Sequence, residues 1–221
     1  MASRLAGMAE RATVPRGRHA PPLEVRQSVQ RQRLLDAAAG VFARAGYAEA
    51  SAESIAREAG MSKATFYEHF ANKEECILAL FDSASTEVLL AMARATAEAG
   101  DDPRERMRAG AAAFLEMLAS HPNESQTLLV EVIGAGERGA ERRDRVFAAF
   151  AEAIDAENAA AARRGTMPRF ASPHDAYAIV GAVSELASRQ LRRGEPADVR
   201  ELEPLVQRLI FGLVYEQSPP S

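Results

Sequence analysis

The 221-residue sequence has no tryptophan, one cysteine and only 6% aromatic residues. A single cysteine, Cys76, excludes a disulfide within the chain and a zinc site built from cysteines. Its four histidines are scattered and never recur at metal-ligand spacing, and no catalytic constellation or glycine-rich phosphate loop is present. We therefore expect no metal, no cofactor and no enzymatic activity.

Long apolar runs are also missing, since no segment approaches about 18 uninterrupted apolar residues. That absence predicts no membrane partner, and the single cysteine fits a reducing cytoplasm. What the chain does have is alanine from end to end and 47% hydrophobic residues, without runs of alternating β-branched residues. These features predict an all-α fold.

Charge is unevenly distributed along the chain. The formal net charge is −4, but the first 33 residues carry seven arginines against two glutamates, which leaves −9 for residues 34–221. A basic leading end on an acidic body indicates that one end faces an anionic partner, although a solvated tail explains the charge equally well. We predict a basic flexible arm over residues 1–28 and leave open whether it contacts DNA.

Cap signals divide the chain into nine predicted helices. The first amphipathic segment runs from about Arg31 and is expected to end at Gly46. The motif "NKEE" predicts a capping box in which Glu75 reaches back to the amide of Asn72. Helix caps are predicted at Ser51, Ser62, Asn72, Asp102, Asn123 and Ser172.

The stretch "AGMS" between two short helical segments predicts the tight turn of a helix-turn-helix. Phe66 and Phe70 are placed to anchor the second helix, and Gly60 can take the left-handed conformation that such turns often need. Small residues on the outer face, Ala64 and Thr65, would allow close approach to base edges. A helix pair of this kind can also be a plain scaffold, so the turn alone is only moderately specific.

The segment from Arg31 to Asp82 resembles the N-terminal domain of the TetR/AcrR family of transcriptional regulators. The matching run is "LLDAAAGVFARAGYAEASAESIAREAGMSKATFYEHFANKEECILALFD". Departures are Met61 for the usual valine, Cys76 for a leucine, and Ser54 where an acid would complete a capping box. The resemblance implies a helix-turn-helix DNA-binding domain over residues 29–75 and a helical effector-binding and dimerisation domain over residues 76–221.

Carried over by position, the resemblance assigns eight residues to DNA. Lys63, Ala64 and Thr65 would read bases, and Tyr67 and Lys73 would contact phosphates. His69 would lie at the edge of the interface, as a peripheral contact or a packing residue. The full predicted set is Ser51, Ser62, Lys63, Ala64, Thr65, Tyr67, His69 and Lys73.

The resemblance also implies an effector pocket among the middle helices. Its candidate lining is mostly apolar, which favours a hydrophobic ligand, although each of these residues taken singly is more simply ordinary core. The candidates are Met92, Phe114, Met117, Leu118, Leu128, Leu129, Val132, Phe147, Phe150, Ile154 and Tyr177.

The resemblance further implies that the last two helices pair with their copies in a second subunit as a four-helix bundle. The alternative is that both stripes simply pack inward. The candidate interface residues are Val180, Val183, Ser184, Ala187, Leu191, Leu205, Leu209, Ile210 and Leu213.

Together these features predict a ligand-responsive DNA-binding repressor, released from a palindromic operator by a small hydrophobic effector. A homodimer would present two reading helices to such an operator. Two alternatives stay open: a ligand-independent or activating regulator, and a helical interaction module that does not bind DNA.

Overall fold

The computed structural model describes residues 22–215, and this part of the chain contains nine α helices, two short 3₁₀ segments and no strand. The predicted all-α fold of nine helices is confirmed. The α helices are α1 Leu23–Glu49, α2 Ala52–Glu58, α3 Lys63–His69, α4 Lys73–Glu98, α5 Pro103–Ser120, α6 Pro122–Leu129, α7 Glu137–Arg163, α8 Asp175–Arg193 and α9 Glu203–Tyr215. The 3₁₀ segments are Glu131–Ala135 and Val199–Leu202.

Side-chain caps start the helices of the N-terminal part, as the sequence predicts. Ser62 Oγ accepts from the Thr65 amide at 3.0 Å, and Asn72 Oδ1 accepts from the Glu75 amide at 2.9 Å. The cap at Ser51 is a full capping box, because Ser54 Oγ accepts from the Ser51 amide at 3.0 Å. Ser54 therefore accepts the hydrogen bond that an acidic residue at this position accepts in other capping boxes.

Three predicted helix starts are corrected. The arm predicted over residues 1–28 lies outside the described residues up to position 21, and from Leu23 the chain is already helical. Helix α6 begins at Pro122 without a side-chain cap, so Asn123 lies inside the helix. Ser172 precedes α8 by a turn, in which its amide donates to Asp175 Oδ2 at 3.0 Å.

Only one of the two hydrogen bonds of the capping box predicted for α4 is present. The Asn72 side chain caps the helix, but the Glu75 carboxylate pairs with Arg138 Nη2 at 2.7 Å instead of returning to the Asn72 amide. Arg138 lies on α7, so this pairing depends on a contact far away in sequence that local patterns do not reveal.

Two hydrophobic clusters share one long helix. The first is formed by α1, α2 and α3 and includes Cys76, Ile77 and Leu80 of α4. The second is formed by α4 to α9 and includes Leu78 and Phe81 of the same helix. The first turns of α4, which lie beyond the domain boundary predicted after residue 75, therefore pack with α1, α2 and α3, and we call this N-terminal unit the head. Burial raises the pKa of the Cys76 thiol to about 12.

Within residues 22–215, α4 alone has the length and apolar composition of a membrane span. It packs along α5 and against α1 and α6, and it has buried side chains over its first four turns. This packing is that of a core helix.

Candidate DNA interface and effector cavity

The turn between α2 and α3 is held by backbone and side-chain bonds from both sides. Gly60 has a φ of +68°, a conformation that side chains other than glycine rarely adopt. The Met61 amide donates to the Ala56 carbonyl at 2.8 Å, and Arg33 Nη2 donates to the Ala59 carbonyl at 3.1 Å. Phe66 is completely buried and fixes α3 against α2. The sequence therefore builds a rigid helix-turn-helix.

The outer face of α3 presents short and polar side chains. Lys63, Ala64 and Tyr67 are exposed, and the Tyr67 ring stands edge-on to Phe66 at 5.5 Å between centroids. Thr65 is half-buried and its hydroxyl lies 2.9 Å from Ser62 Oγ. Lys63 makes an exposed ion pair with Glu53 at 3.6 Å, a contact that costs little to exchange for a phosphate.

Two of the residues predicted to contact DNA are used inside the head. Lys73 Nζ donates to the carbonyls of Tyr47, Ala48 and Ala50 at 2.8, 2.9 and 3.0 Å, so all three of its N–H groups are occupied. His69 Nε2 is buried and has no hydrogen-bond partner within the described part of the chain. Lys73 is therefore corrected from a phosphate contact to a cap on the end of α1, and Nε2 of His69 is not presented to DNA.

Exchanging Lys73 for methionine is expected to lower the free energy of unfolding by about 2 kcal/mol, because three charge-assisted bonds to carbonyls are lost. Urea unfolding monitored by circular dichroism measures the change. Lys63→Met is the matched control, since its exposed pair contributes roughly 0–1 kcal/mol. Equal losses in the two variants would show that Lys73 does not stabilise the head.

The end of α1 is also tied to the rest of the molecule. The helix breaks at Gly46, which has a φ of +76°. Directly after the break, the Tyr47 amide donates to Glu131 Oε2 at 2.8 Å, and Gln126 Nε2 holds the other oxygen of that carboxylate at 3.0 Å. Glu131 is half-buried in a 3₁₀ segment of the larger cluster, so it joins the head to the body.

A second set of contacts joins α7 to α4. Arg138 bridges Glu74 and Glu75 at the start of α4, and Arg142 Nη1 lies 2.6 Å from Asp82 Oδ2 about two turns further along. Burial raises the pKa of Asp82, against the opposing effect of Arg142. Ion pairs therefore hold the N-terminal end of α7 against the first three turns of α4.

A cavity of about 290 Å³ lies in the larger cluster, between α4, α5, α6, α7, α8 and α9. Seven of the residues predicted to form a pocket line it, and the sequence also missed several lining residues, among them Arg106 and Glu157. The seven are Met92, Phe114, Leu128, Leu129, Phe147, Phe150 and Ile154.

Four predicted pocket residues do not line this cavity. Leu118 and Val132 are packed in the core, and Met117 is a half-buried neighbour of it. Tyr177 is 42% exposed and places its ring against the edge of Phe147. Helical periodicity identifies an apolar face, but it does not distinguish a filled contact from an open cavity.

Five of the predicted interface residues face inward. Ala187 is completely buried, and the other four line the cavity from α8 and α9, which agrees with the alternative that these stripes pack inward. The inward five are Val180, Val183, Ser184, Ala187 and Ile210. The remaining four are half-buried and stay a prediction: Leu191, Leu205, Leu209 and Leu213.

No group of three or more His, Cys, Asp or Glu side chains within residues 22–215 is arranged to hold a metal ion.

The sequence model for bacterial regulatory proteins of the tetR family matches residues 34–80, from within α1 to the early turns of α4. The HTH-type transcriptional regulator EthR of Mycobacterium tuberculosis is 28% identical over 203 residues, which cover 89% of this chain and 90% of EthR. The helix-turn-helix segment of this chain is that of the TetR family. Together the matches support a TetR-family DNA-binding transcriptional regulator, and the relatives are themselves regulators.

Other TetR-family similarities cover different parts of the molecule. The HTH-type transcriptional activator FasR of Mycolicibacterium smegmatis is 34% identical over 102 residues, so the match spans 46% of this chain and 46% of FasR. The fold is shared with the regulator FadR of Bacillus subtilis, solved in complex with stearoyl-CoA. That structure has a TM-score of 0.74 at 18% identity and covers 83% of this chain and 99% of its own.

Proposed function

We propose that this TetR-family regulator is a cytoplasmic homodimeric repressor that a small hydrophobic effector releases from a palindromic operator. This proposal rests mainly on the observation that α4 contributes residues to both the head and the cavity. Its first residue, Lys73, caps the end of α1, and Met92 on the same helix lines the cavity. An effector in the cavity therefore contacts the helix on which the head is mounted.

The DNA-binding surface is the outer face of α3 with the caps at Ser51 and Ser62. Ala64 and Thr65 lie against base edges and Tyr67 contacts a phosphate. Lys63, which the resemblance assigns to the bases, is exposed on a long side chain, and we propose that its ammonium contacts a phosphate as well. The free amides at the start of α3 add a site for a phosphate. Lys73 is not included, because its ammonium is already used within the head.

Effector and operator oppose each other only if the effector binds two states of the protein with different affinity. The two states proposed differ in the tilt of α4, which the contacts of Arg138, Arg142 and Glu131 hold in its present position. An apolar ligand is supported by the lining, and FadR of Bacillus subtilis is a relative in fold that was solved with stearoyl-CoA.

The opposite sign of regulation is the second candidate. FasR of Mycolicibacterium smegmatis, which matches less than half of this chain, is a transcriptional activator. An activator would use the same α3 surface, and operator binding alone does not separate the two. Transcription from the operator with and without the protein does, since a repressor lowers it.

The interface is tested by gel shift with DNA from upstream of the chain's own coding sequence. Ala64→Glu adds bulk and a negative charge to the outer face of α3 and is expected to weaken binding at least about hundredfold. Lys63→Gln is expected to reduce the slope of log affinity against log salt by about 1.

Arg94→Gln is the control, because it removes one exposed positive charge on α4, far from α3. It is expected to leave affinity and salt slope unchanged. If the wild-type chain shifts no such fragment, or if Ala64→Glu binds as tightly as the wild type, the proposed surface is wrong.

A further inference from the structure

The cavity is apolar except for the hydroxyl of Ser184 on α8 and for one charged end. There Arg106 of α5 and Glu157 of α7 enter a lining otherwise built mainly from aliphatic and aromatic side chains. Thr96 of α4 stands beside them, with its hydroxyl 3.5 Å from the Arg106 carbonyl. The cavity therefore has an apolar body and a single charged end.

The two charged side chains form a forked pair. Nε and Nη2 of Arg106 donate to the two carboxylate oxygens of Glu157, the second at 3.0 Å. Nη1 of Arg106 donates to the Gly100 carbonyl at 3.1 Å, which fixes the plane of the guanidinium. The side chains are only 22% and 20% exposed, so water screens the pair little. This hydrogen bonding lowers the pKa of Glu157, which is ionised at neutral pH.

In a forked pair of this kind, the carboxylate of Glu157 can be exchanged for the carboxylate of a ligand. A half-buried ion pair contributes little net stability, and removing one partner is costly because the other charge is left unpaired. Replacing one carboxylate by another preserves both bonds of the guanidinium. A second cation, Arg164, caps the C-terminal end of the same helix about two turns beyond Glu157, and its charge also lowers the pKa of Glu157.

We propose that the effector is an amphiphile with a carboxylate head and that Arg106 binds this head. When the cavity is empty, the carboxylate of Glu157 pairs with Arg106 in its place. The inference rests on the proposed effector function and specifies its ligand class. The apolar part of the ligand lies among Met92, Phe114 and Phe150, and its head replaces the Glu157 carboxylate. Glu157 then turns toward Arg164.

Decanoate and decanol are the probes, because they share an alkyl chain and differ in the head. Calorimetric titration of the full chain below the micelle concentration gives both dissociation constants. Wild type is expected to bind decanoate about tenfold more tightly than decanol, the effect of a charge-assisted bond. Glu157→Gln removes the competing carboxylate and is expected to increase that ratio further.

The double variant Arg106→Gln, Glu157→Gln keeps a neutral hydrogen-bonding pair in place of the ion pair, which avoids leaving an unpaired charge in the cavity. Its decanoate-to-decanol ratio is expected to fall to about 1 or below. Arg94→Gln, which removes an exposed charge on α4, is expected to retain the wild-type ratio.

The outcomes separate this inference from the effector site itself. If both probes bind and the ratio is the same in wild type and double variant, Arg106 does not bind the head, although the cavity still holds a ligand. If wild type prefers decanol, the carboxylate class is wrong. If neither probe binds, the inference and the effector site fail together.

Discussion

Replacing Gly139 by alanine is expected to lower the free energy of unfolding by about 3 kcal/mol, the upper end for overpacked sites. A Cβ at this position in α7 would lie 2.2 Å from the backbone carbonyl oxygen of Val132 and 3.1 Å from Ala135 Cβ. Because the nearest atom belongs to backbone, no side-chain rotation relieves the clash. Helix α7 would have to move away from the 3₁₀ segment Glu131–Ala135, which also carries the contact to Tyr47.

Thermal unfolding measures the loss, with an expected fall in Tm of about 10 °C for a chain of this length. Gly40→Ala is the matched control, since the nearest atom to its Cβ is Arg44 Nη1 at 3.0 Å, the free end of a flexible side chain. That variant is expected to be neutral or slightly more stable, because alanine favours helix. A Gly139→Ala chain as stable as Gly40→Ala would contradict the tight contact between α7 and the 3₁₀ segment.

Asn158→Ala is expected to cost about 3–5 kcal/mol, because it leaves buried or half-buried polar groups unpaired. Asn158 is completely buried on α7. Its Nδ2 donates to the Pro168 carbonyl at 2.9 Å, and its Oδ1 accepts from the Phe170 amide at 2.9 Å and from Arg169 Nη1 at 2.8 Å. One side chain thus shapes the connection between α7 and α8, which places the buried Met167 and Phe170 in the core.

Urea unfolding measures this loss, and Asn123→Ala is the control. Asn123 is exposed on α6, where alanine substitution is expected to change the free energy of unfolding by less than about 0.5 kcal/mol. If Asn158→Ala unfolds at the same urea concentration as Asn123→Ala, the hydrogen bonds of Asn158 are not what holds the connection.

A large part of the fold of this chain follows from residues that are close to one another in the sequence. The caps at Ser51, Ser62, Asn72 and Asp102 are each confirmed, since a cap depends on residues within one turn of each other. The turn at Gly60 and the anchor at Phe66 also follow from neighbours in sequence. The caps and the turn of the head could therefore be predicted from the sequence.

Contacts between distant residues are what the sequence does not reveal. Arg106 and Glu157 are 51 residues apart, and a charged residue on a helix ordinarily faces solvent, so nothing local marks them as cavity residues. Lys73 has an exposed phosphate contact as its usual interpretation, and only the geometry of the α1 break reveals its three carbonyl partners. Most of the apolar stripe of α8 packs into the core of its own chain, and the sequence pattern alone does not separate such a stripe from a subunit interface.

The burial of Cys76 makes this chain convenient for spectroscopic labelling. Its thiol is the only one in the sequence, is completely buried, and has a pKa of about 12, so it reacts slowly with maleimides and methanethiosulfonates. A cysteine introduced at an exposed position such as Glu68 on α3 would be the single reactive site without removal of the native one. In the proposed homodimer, one spin label on each protomer would report the separation of the two α3 helices directly.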